Sequence, residues 1–248
     1  MELPVRNAQA DDAMGLYATG FNAWNQLTFD PSAVKDEPDD IFSFTKILGT
    51  QKLNRVVSQM CYTAAAYDGG FVILHEDTSV STMGDPRFGD CLGREVDESS
   101  PADVPGLVSD LSDISEPIKK VAAGGYTLAA LTEGGGLYLW GMQSPGSQSR
   151  HQAFTDLSGI PNYVEVDGEK DVQDIALGES HAIALTTDGC VYVVGDNTNG
   201  QLGLGSDSKS PVESWVKVPF ITPPGWDIVG VEAGPRSSFI VTAKAKPK

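Results

Sequence analysis

The sequence predicts an all-β fold assembled from a repeat of about 55 residues, and three observations carry that prediction. The first is the pattern of residues 171–205, DVQDIALGESHAIALTTDGCVYVVGDNTNGQLGLG. It reads as an alternating strand, a glycine break at Gly178, an apolar run, the Asp188-Gly189 hairpin signal, a β-branched and aromatic strand, and a loop rich in glycine and amides. The second is recurrence. The turn glycines Gly124, Gly178 and Gly234 lie 54 (178 − 124) and 56 (234 − 178) residues apart, and a fainter copy places Gly69 55 residues (124 − 69) before Gly124. The third is a split repeat: the copy around Gly234 has two strands but no third, while residues 16–27 (LYATGFNAWNQL) match residues 191–202 (VYVVGDNTNGQL) at Tyr17, Gly20, Asn22, Gln26 and Leu27.

Each element follows in chain order. Residues 1–14 are polar and read as an arm, 16–19 as a strand with 21–24 as its loop, and 30–40 as an exposed loop holding five acids and two prolines. Residues 41–48 alternate as an outer strand, and 55–66 and 71–74 as the inner strands of the next unit. A loop over 84–93 answers the one over 195–203. Residues 95–116 hold seven acids, with prolines at 101, 105 and 117. They read as an insertion, either an ordered excursion or a disordered loop. Residues 118–141 are a fair copy of the repeat, 142–171 a long connection carrying His151, and 219–226 (PFITPPGW) the last linker before the terminal copy.

The pattern of strand, glycine, small or histidine-bearing strand, turn, then LYxWGxNxxGQLG resembles the repeat of the regulator of chromosome condensation family. It is strongest over 171–205, fair over 118–141 and degenerate elsewhere. The resemblance implies a β-propeller with each repeat roughly one four-stranded blade. The period gives four blades, or five if residues 55–70 and 71–93 are remnants of two. Family members typically carry seven, so a small closed ring and an incomplete ring completed by a partner both fit. The split repeat favours a single propeller domain over 1–248 in which N- and C-terminal strands pair, leaving no open edge.

Composition narrows function. The chain has 248 residues, 40% of them hydrophobic, enough for a sizeable core. Its 17 Lys and Arg against 34 Asp and Glu give a formal charge of −17, which repels phosphate backbones and favours basic partners over nucleic acid. The basic Lys244, Lys246 and Lys248 read as a solubilising tail. Three cysteines (Cys61, Cys91 and Cys190), with no CxxC spacing, point away from disulfides and zinc and toward a reducing compartment. No apolar run reaches the length of a membrane span or signal core, so the expectation is an intracellular protein of nucleus or cytoplasm.

Catalysis finds no support. Gly178-Glu179-Ser180-His181-Ala182 approximates a nucleophile elbow but has Ala182 for the final glycine and no following helix. The Asp196–Gly200 stretch lacks the third and twelfth ligands of a calcium loop, and Gly200, Gly203 and Gly205 precede no helix that could hold a phosphate. Neither cofactor nor metal is expected. What remains is surface: third-strand loops gather on one propeller face, offering Phe21, Trp24, Arg87, Phe88, Met142, Asn197 and Asn199 as candidate partner contacts. The alternative is that Trp24 and Phe88 pack beneath their own loops. The expected function is a non-enzymatic adaptor, with a chromatin-associated enzyme as one partner class. The runner-up implied by the family is nucleotide exchange on a small GTPase, although no stretch here matches the wedge-like insertion that activity uses.

Overall fold

The alternating and apolar runs become sixteen strands in four antiparallel sheets of four. The computed structural model describes residues 14–20, 39–49, 64–67, 69–142, 154, 156–168, 170–206 and 211–245. The strands are β1 (Met14–Gly20), β2 (Ile41–Gly49), β3 (Ala64–Tyr67), β4 (Gly70–Leu74), β5 (Val80–Gly84) and β6 (Gly106–Leu107). β7 (Ile118–Gly124), β8 (Thr127–Thr132), β9 (Leu137–Gly141) and β10 (Asn162–Val164) follow. The remainder are β11 (Val172–Leu177), β12 (His181–Thr186), β13 (Val191–Gly195), β14 (Val212–Lys217), β15 (Trp226–Gly234) and β16 (Ser237–Lys244). Sheet one is β3-β4-β5-β6, sheet two β7-β8-β9-β10, sheet three β11-β12-β13-β14, and sheet four β15-β16-β1-β2.

Sheet four shows the split repeat directly. β1 lies antiparallel to β16, with Tyr17 opposite Ile240 and Ala18 opposite Phe239, and β2 completes the sheet on its other side. The third strand missing from the terminal copy is therefore supplied from the other end of the sequence.

Sheets two and three are each sandwiched by their neighbours, and strand alternation divides their side chains between them. On β12, Ala182 and Ala184 join Ala129 and Leu131 of sheet two, while Ile183 and Leu185 join Val231 and Ile240 of sheet four. On β8, Leu128 and Ala130 turn the other way, onto Val72 and Val80 of sheet one. Inter-sheet contact runs through β3 and β7, β8 and β11, and β11 and β15; among the described residues no comparable contact joins sheet four back to sheet one.

A bulge recurs at one slot of the innermost strands, just before Lys120, Asp174 and Gly230. These positions are 54 (174 − 120) and 56 (230 − 174) residues apart, which is the repeat spacing. Asp174 uses the slot to join three sheets: it accepts from Lys120 Nζ at 2.7 Å and from the Val231 amide at 3.0 Å. Burial between these strands raises the Glu232 pKa, an effect partly offset by Lys120.

The structure refines the sequence reading. The repeat read as three strands has a fourth, and β6, β10 and β14 lie in stretches read as insertion, connection or nothing. Outer strands are short or half-exposed, so their periodicity is weak: β10 shows no buried residue and β14 none either. Residues 71–74, read with 55–66 as the inner strands, form the second strand of their sheet beside β3, the innermost; residues 55–63 lie outside the described part. The acidic stretch 95–116 is ordered, with Ala102, Val108 and Leu111 buried. Arg94 organises it, donating to the carbonyls of Ser100 (3.0 Å), Pro101 (3.0 Å) and Val104 (2.9 Å). The second acidic segment, 30–40, falls outside the described residues except for Asp39 and Asp40.

Candidate partner-docking face

In a four-stranded blade the turn after the first strand and the loop after the third emerge at the same end, so the two together build one face. Neighbouring sheets join there in sequence. Asp85 N donates to Gly69 O at 2.8 Å within sheet one, and the Phe88 ring lies 5.2 Å from the ring of Tyr126 on sheet two. Met142 N donates to Tyr126 O at 3.1 Å. Further on, Glu179 N of sheet three donates to Pro235 O of sheet four at 3.1 Å, and Arg236 Nε approaches Glu179 Oε2 at 3.5 Å. The third-strand loops rest on glycines that the geometry requires: Gly20, Gly141 and Gly195 have φ of 119°, 138° and 110°, a region side-chain-bearing residues avoid.

The candidate residues separate into two kinds. Arg87 stands out at 81% side-chain exposure, tied to Asp85 by a 2.6 Å ion pair. Hydrogen bonds from the Arg87 side chain and backbone hold the Asp85 carboxyl below its ordinary range. Phe88 and Met142 instead pack against the core between sheets one and two, so Phe88 lies under its own loop. Asn197 is fully buried and accepts from the Leu202 amide at 3.0 Å, and Asn199 donates to Asp40 at 2.9 Å. Asn197 is thus corrected from a surface contact to a group that shapes its loop. Phe21 and Trp24 lie outside the described residues.

The physical reason is that the described third-strand loops, those after β5 and β13, cross to the following sheet. The loop after β13 lies on β2: Gly205 N donates to Phe42 O at 2.9 Å, and Thr19 Oγ1 donates to Gly200 O at 2.7 Å. The loop after β5 carries a short helix, α1 (Gly89–Leu92), and Trp140 of sheet two donates from Nε1 to Cys91 O at 3.1 Å. Amides and aromatics that suit an interface are here satisfying an interface between sheets.

His181 follows the same rule. It is buried, its Nε2 lies 2.9 Å from Ser238 Oγ and 3.2 Å from Ser237 O of sheet four, and Nδ1 has no hydrogen-bond partner among the described residues. Burial lowers its pKa to about 4, against the weaker opposing effects of the Ser237 carbonyl and Asp196. A neutral, inaccessible imidazole links sheets rather than moving protons. Among the described residues no group of three or more His, Cys, Asp or Glu is arranged to hold a metal.

Comparison with known proteins agrees with this architecture. Models of the regulator of chromosome condensation (RCC1) repeat match residues 172–201 and 188–241. The chain carries RCC1 repeats. Among its relatives, this RCC1-repeat chain is 31% identical to human E3 ubiquitin-protein ligase HERC2 over 77% of its own length and 4% of the ligase. It is 29% identical to the mitochondrial RCC1 domain-containing protein RUG3 of Arabidopsis thaliana, over 78% of this chain and 40% of that one. Prp20p of Saccharomyces cerevisiae, solved in a study of its binding to Gsp1p and histones, superposes with a TM-score of 0.55 at 19% identity, covering 75% of this chain and 44% of the yeast one. The chain therefore spans less than half the length of each of these three proteins.

Sequence reasoning missed Tyr126, Glu179 and Arg236 as members of the face, and Arg94 and Asp174 as its internal supports. A signal existed for most of them in the RCC1 repeat register. Tyr126, Glu179 or Ser180, and Arg236 occupy one turn slot, and Lys120, Asp174 and Gly230 another. Arg94 had none, because its partners are backbone carbonyls.

Proposed function

We propose that the protein is a non-catalytic docking module: four sheets serve as four blades, and the face built from first-strand turns and third-strand loops engages a protein partner with a basic surface. A regulator of a chromatin-associated enzyme is the class this suits, acting in the nucleus or cytoplasm. One observation carries the reading. Both described arginines of the face are already matched by carboxylates, Arg87 by Asp85 and Arg236 by Glu179, so the field left to a partner is that of a chain with charge −17. The histones named with yeast Prp20p are basic, which supports the same direction.

A second reading is nucleotide exchange on a small GTPase, favoured by the pairing of Prp20p with Gsp1p. The two separate in one experiment. The protein is titrated into a fluorescent Lys- and Arg-rich histone-tail peptide at rising salt, and in parallel into small GTPases loaded with fluorescent nucleotide. Docking predicts peptide binding that weakens with salt and no acceleration of nucleotide release. Accelerated release from one GTPase replaces the adaptor reading with exchange, and no binding in either arm removes both.

A further inference from the structure

Sheets two and three enclose a cavity of about 170 Å³ between their outer strands, lined by Asn162 and Val164 of β10 and Glu213 of β14. Much of its lining is apolar. Leu139 of β9 is buried, and Phe154, Leu157 and Val164 pack on the core that the two sheets share. The Phe154 ring lies 5.8 Å from that of Trp215 on β14, which ties the two walls together. The cavity sits at the docking end of both sheets. Ser158, in its lining, accepts from Gly141 N at 2.9 Å where the third-strand loop of sheet two begins, and Glu213 follows Val212, which pairs with Gly195 at the start of the sheet-three loop.

The polar part of the lining is one-sided. Ser158 Oγ donates to Ile160 O at 3.1 Å and accepts from Asn162 Nδ2 at 2.7 Å. Asn162 Nδ2 gives its second hydrogen to Ile160 O at 2.9 Å, so this amide has spent both donors and keeps only its Oδ1. Asp156 and Glu213 are exposed, and neither carboxylate has a hydrogen-bond or ion-pair partner among the described residues. What these side chains still offer is therefore acceptors and negative charge. An anion would be repelled, whereas a cationic donor on an apolar stem matches both halves of the lining. Size agrees: a cavity of about 150 Å³ admits benzene, so this one has room for a side chain of similar heavy-atom count.

We propose that this cavity receives one lysine or arginine side chain of a protein partner, its alkyl stem lying on Leu139, Phe154, Leu157 and Val164 and its cation meeting Asp156 and Glu213. The source of that side chain rests on the docking reading above; the shape and charge of the cavity do not.

Nα-acetyl-lysine amide and Nα-acetyl-arginine amide are titrated into the isotope-labelled full chain and followed by amide NMR, with Nα-acetyl-norleucine amide as the uncharged stem. Both cations should shift the Asn162 side-chain signals and the Glu213 backbone amide to saturation, and norleucine amide should not. In the paired variant Asp156→Asn, Glu213→Gln these shifts should vanish, and the affinity of the Lys- and Arg-rich histone-tail peptide should fall about tenfold at low salt. Asp227→Asn with Glu95→Gln removes as much charge from exposed positions elsewhere and should change that affinity about twofold or less. All of these carboxylates are exposed, so both paired variants should keep the wild-type far-UV spectrum. Peptide binding as tight in Asp156→Asn, Glu213→Gln as in the wild type overturns the cavity and leaves docking standing. Cations that shift the lining while the peptide fails to bind uphold the cavity as an alkyl-cation site and remove docking. Lining signals that neither cation moves, or that norleucine amide moves equally, overturn the proposal.

Discussion

Sheet three and sheet one follow the same strand plan in different surroundings. Every residue of β12 and β13 is buried, because sheets two and four cover both faces. In the equivalent β4 only Val72 is buried, and Phe71 is exposed. The repeat is legible where two neighbouring sheets constrain a strand and fades where the described residues provide one. Residues 171–205 are the clearest copy because both faces demand small or branched apolar residues. The copy around Gly69 is faint because only one face does.

The largest way to break this contrast is to unmake sheet four. Deleting residues 1–26 removes β1, uncovers Ile240 and leaves β2 without its partner strand. Sheet three then loses the neighbour covering Ile183 and Leu185. The loss should be comparable with a domain's entire stability, on the order of 5 to 15 kcal/mol, giving a chain that aggregates through the β16 edge. Melting as cooperative and as high as that of the intact chain would show that the terminal pairing contributes nothing.

Point substitutions sharpen the same contrast. Ile183→Ala empties a site buried from both sides and should cost about 2 to 5 kcal/mol in urea unfolding. Ile73→Ala, at a half-buried position of sheet one, should cost about 1 kcal/mol or less. Equal losses would mean that sheet one is covered as fully as sheet three.

A titration reports on the joint between sheets three and four. His181 is neutral in the folded chain with a pKa near 4, below the ordinary 6.5. Below pH 6.5 the unfolded chain takes up a proton that the folded one does not, so stability is full above that pH and falls as pH drops toward 4. The difference of 2.5 units (6.5 − 4) corresponds to roughly 3 kcal/mol. Urea unfolding at pH 7 and pH 5 should show part of this loss in the wild type and not in His181→Gln, even though the variant starts less stable. A wild type whose stability is flat across that interval would place the imidazole in contact with water.

The strands legible in the sequence were the three that carry buried rows, and the split repeat was legible because Tyr17, Gly20, Asn22, Gln26 and Leu27 repeat a register. Of the fourth strands, β2 was legible as the outer strand over 41–48, and β6, β10 and β14 were not. β14 exposes Glu213, Val216 and Lys217, so it shows neither clean alternation nor a hydrophobic run. The face was legible as a place and misread as a set of contacts. Asn197 and Phe88 have interface chemistry, and sequence composition does not tell an interface between sheets from one with another protein. Only exposure separates them, and exposure depends on where each loop crosses.

Arg87 is the residue on which that distinction leaves the smallest structural effect. Its side chain is 81% exposed, its ion pair with Asp85 spans two residues of one loop, and Asp85 still caps the turn by accepting from the Arg87 backbone amide at 2.9 Å whatever side chain stands there. Arg87→Ala should therefore leave the melting temperature unchanged, as exposed pairs of this kind rarely contribute measurably. Its effect should fall on the partner instead. Removing the guanidinium frees the Asp85 carboxylate and makes the face more negative, so a Lys- and Arg-rich peptide should bind more tightly to Arg87→Ala at low salt, with the gain disappearing as salt rises. Phe88→Ala should do the reverse, destabilising the chain because the ring packs against Tyr126, and moving peptide affinity only as far as the fold is lost. If Arg87→Ala instead abolishes binding, the guanidinium itself contacts the partner, and the surface it meets is acidic.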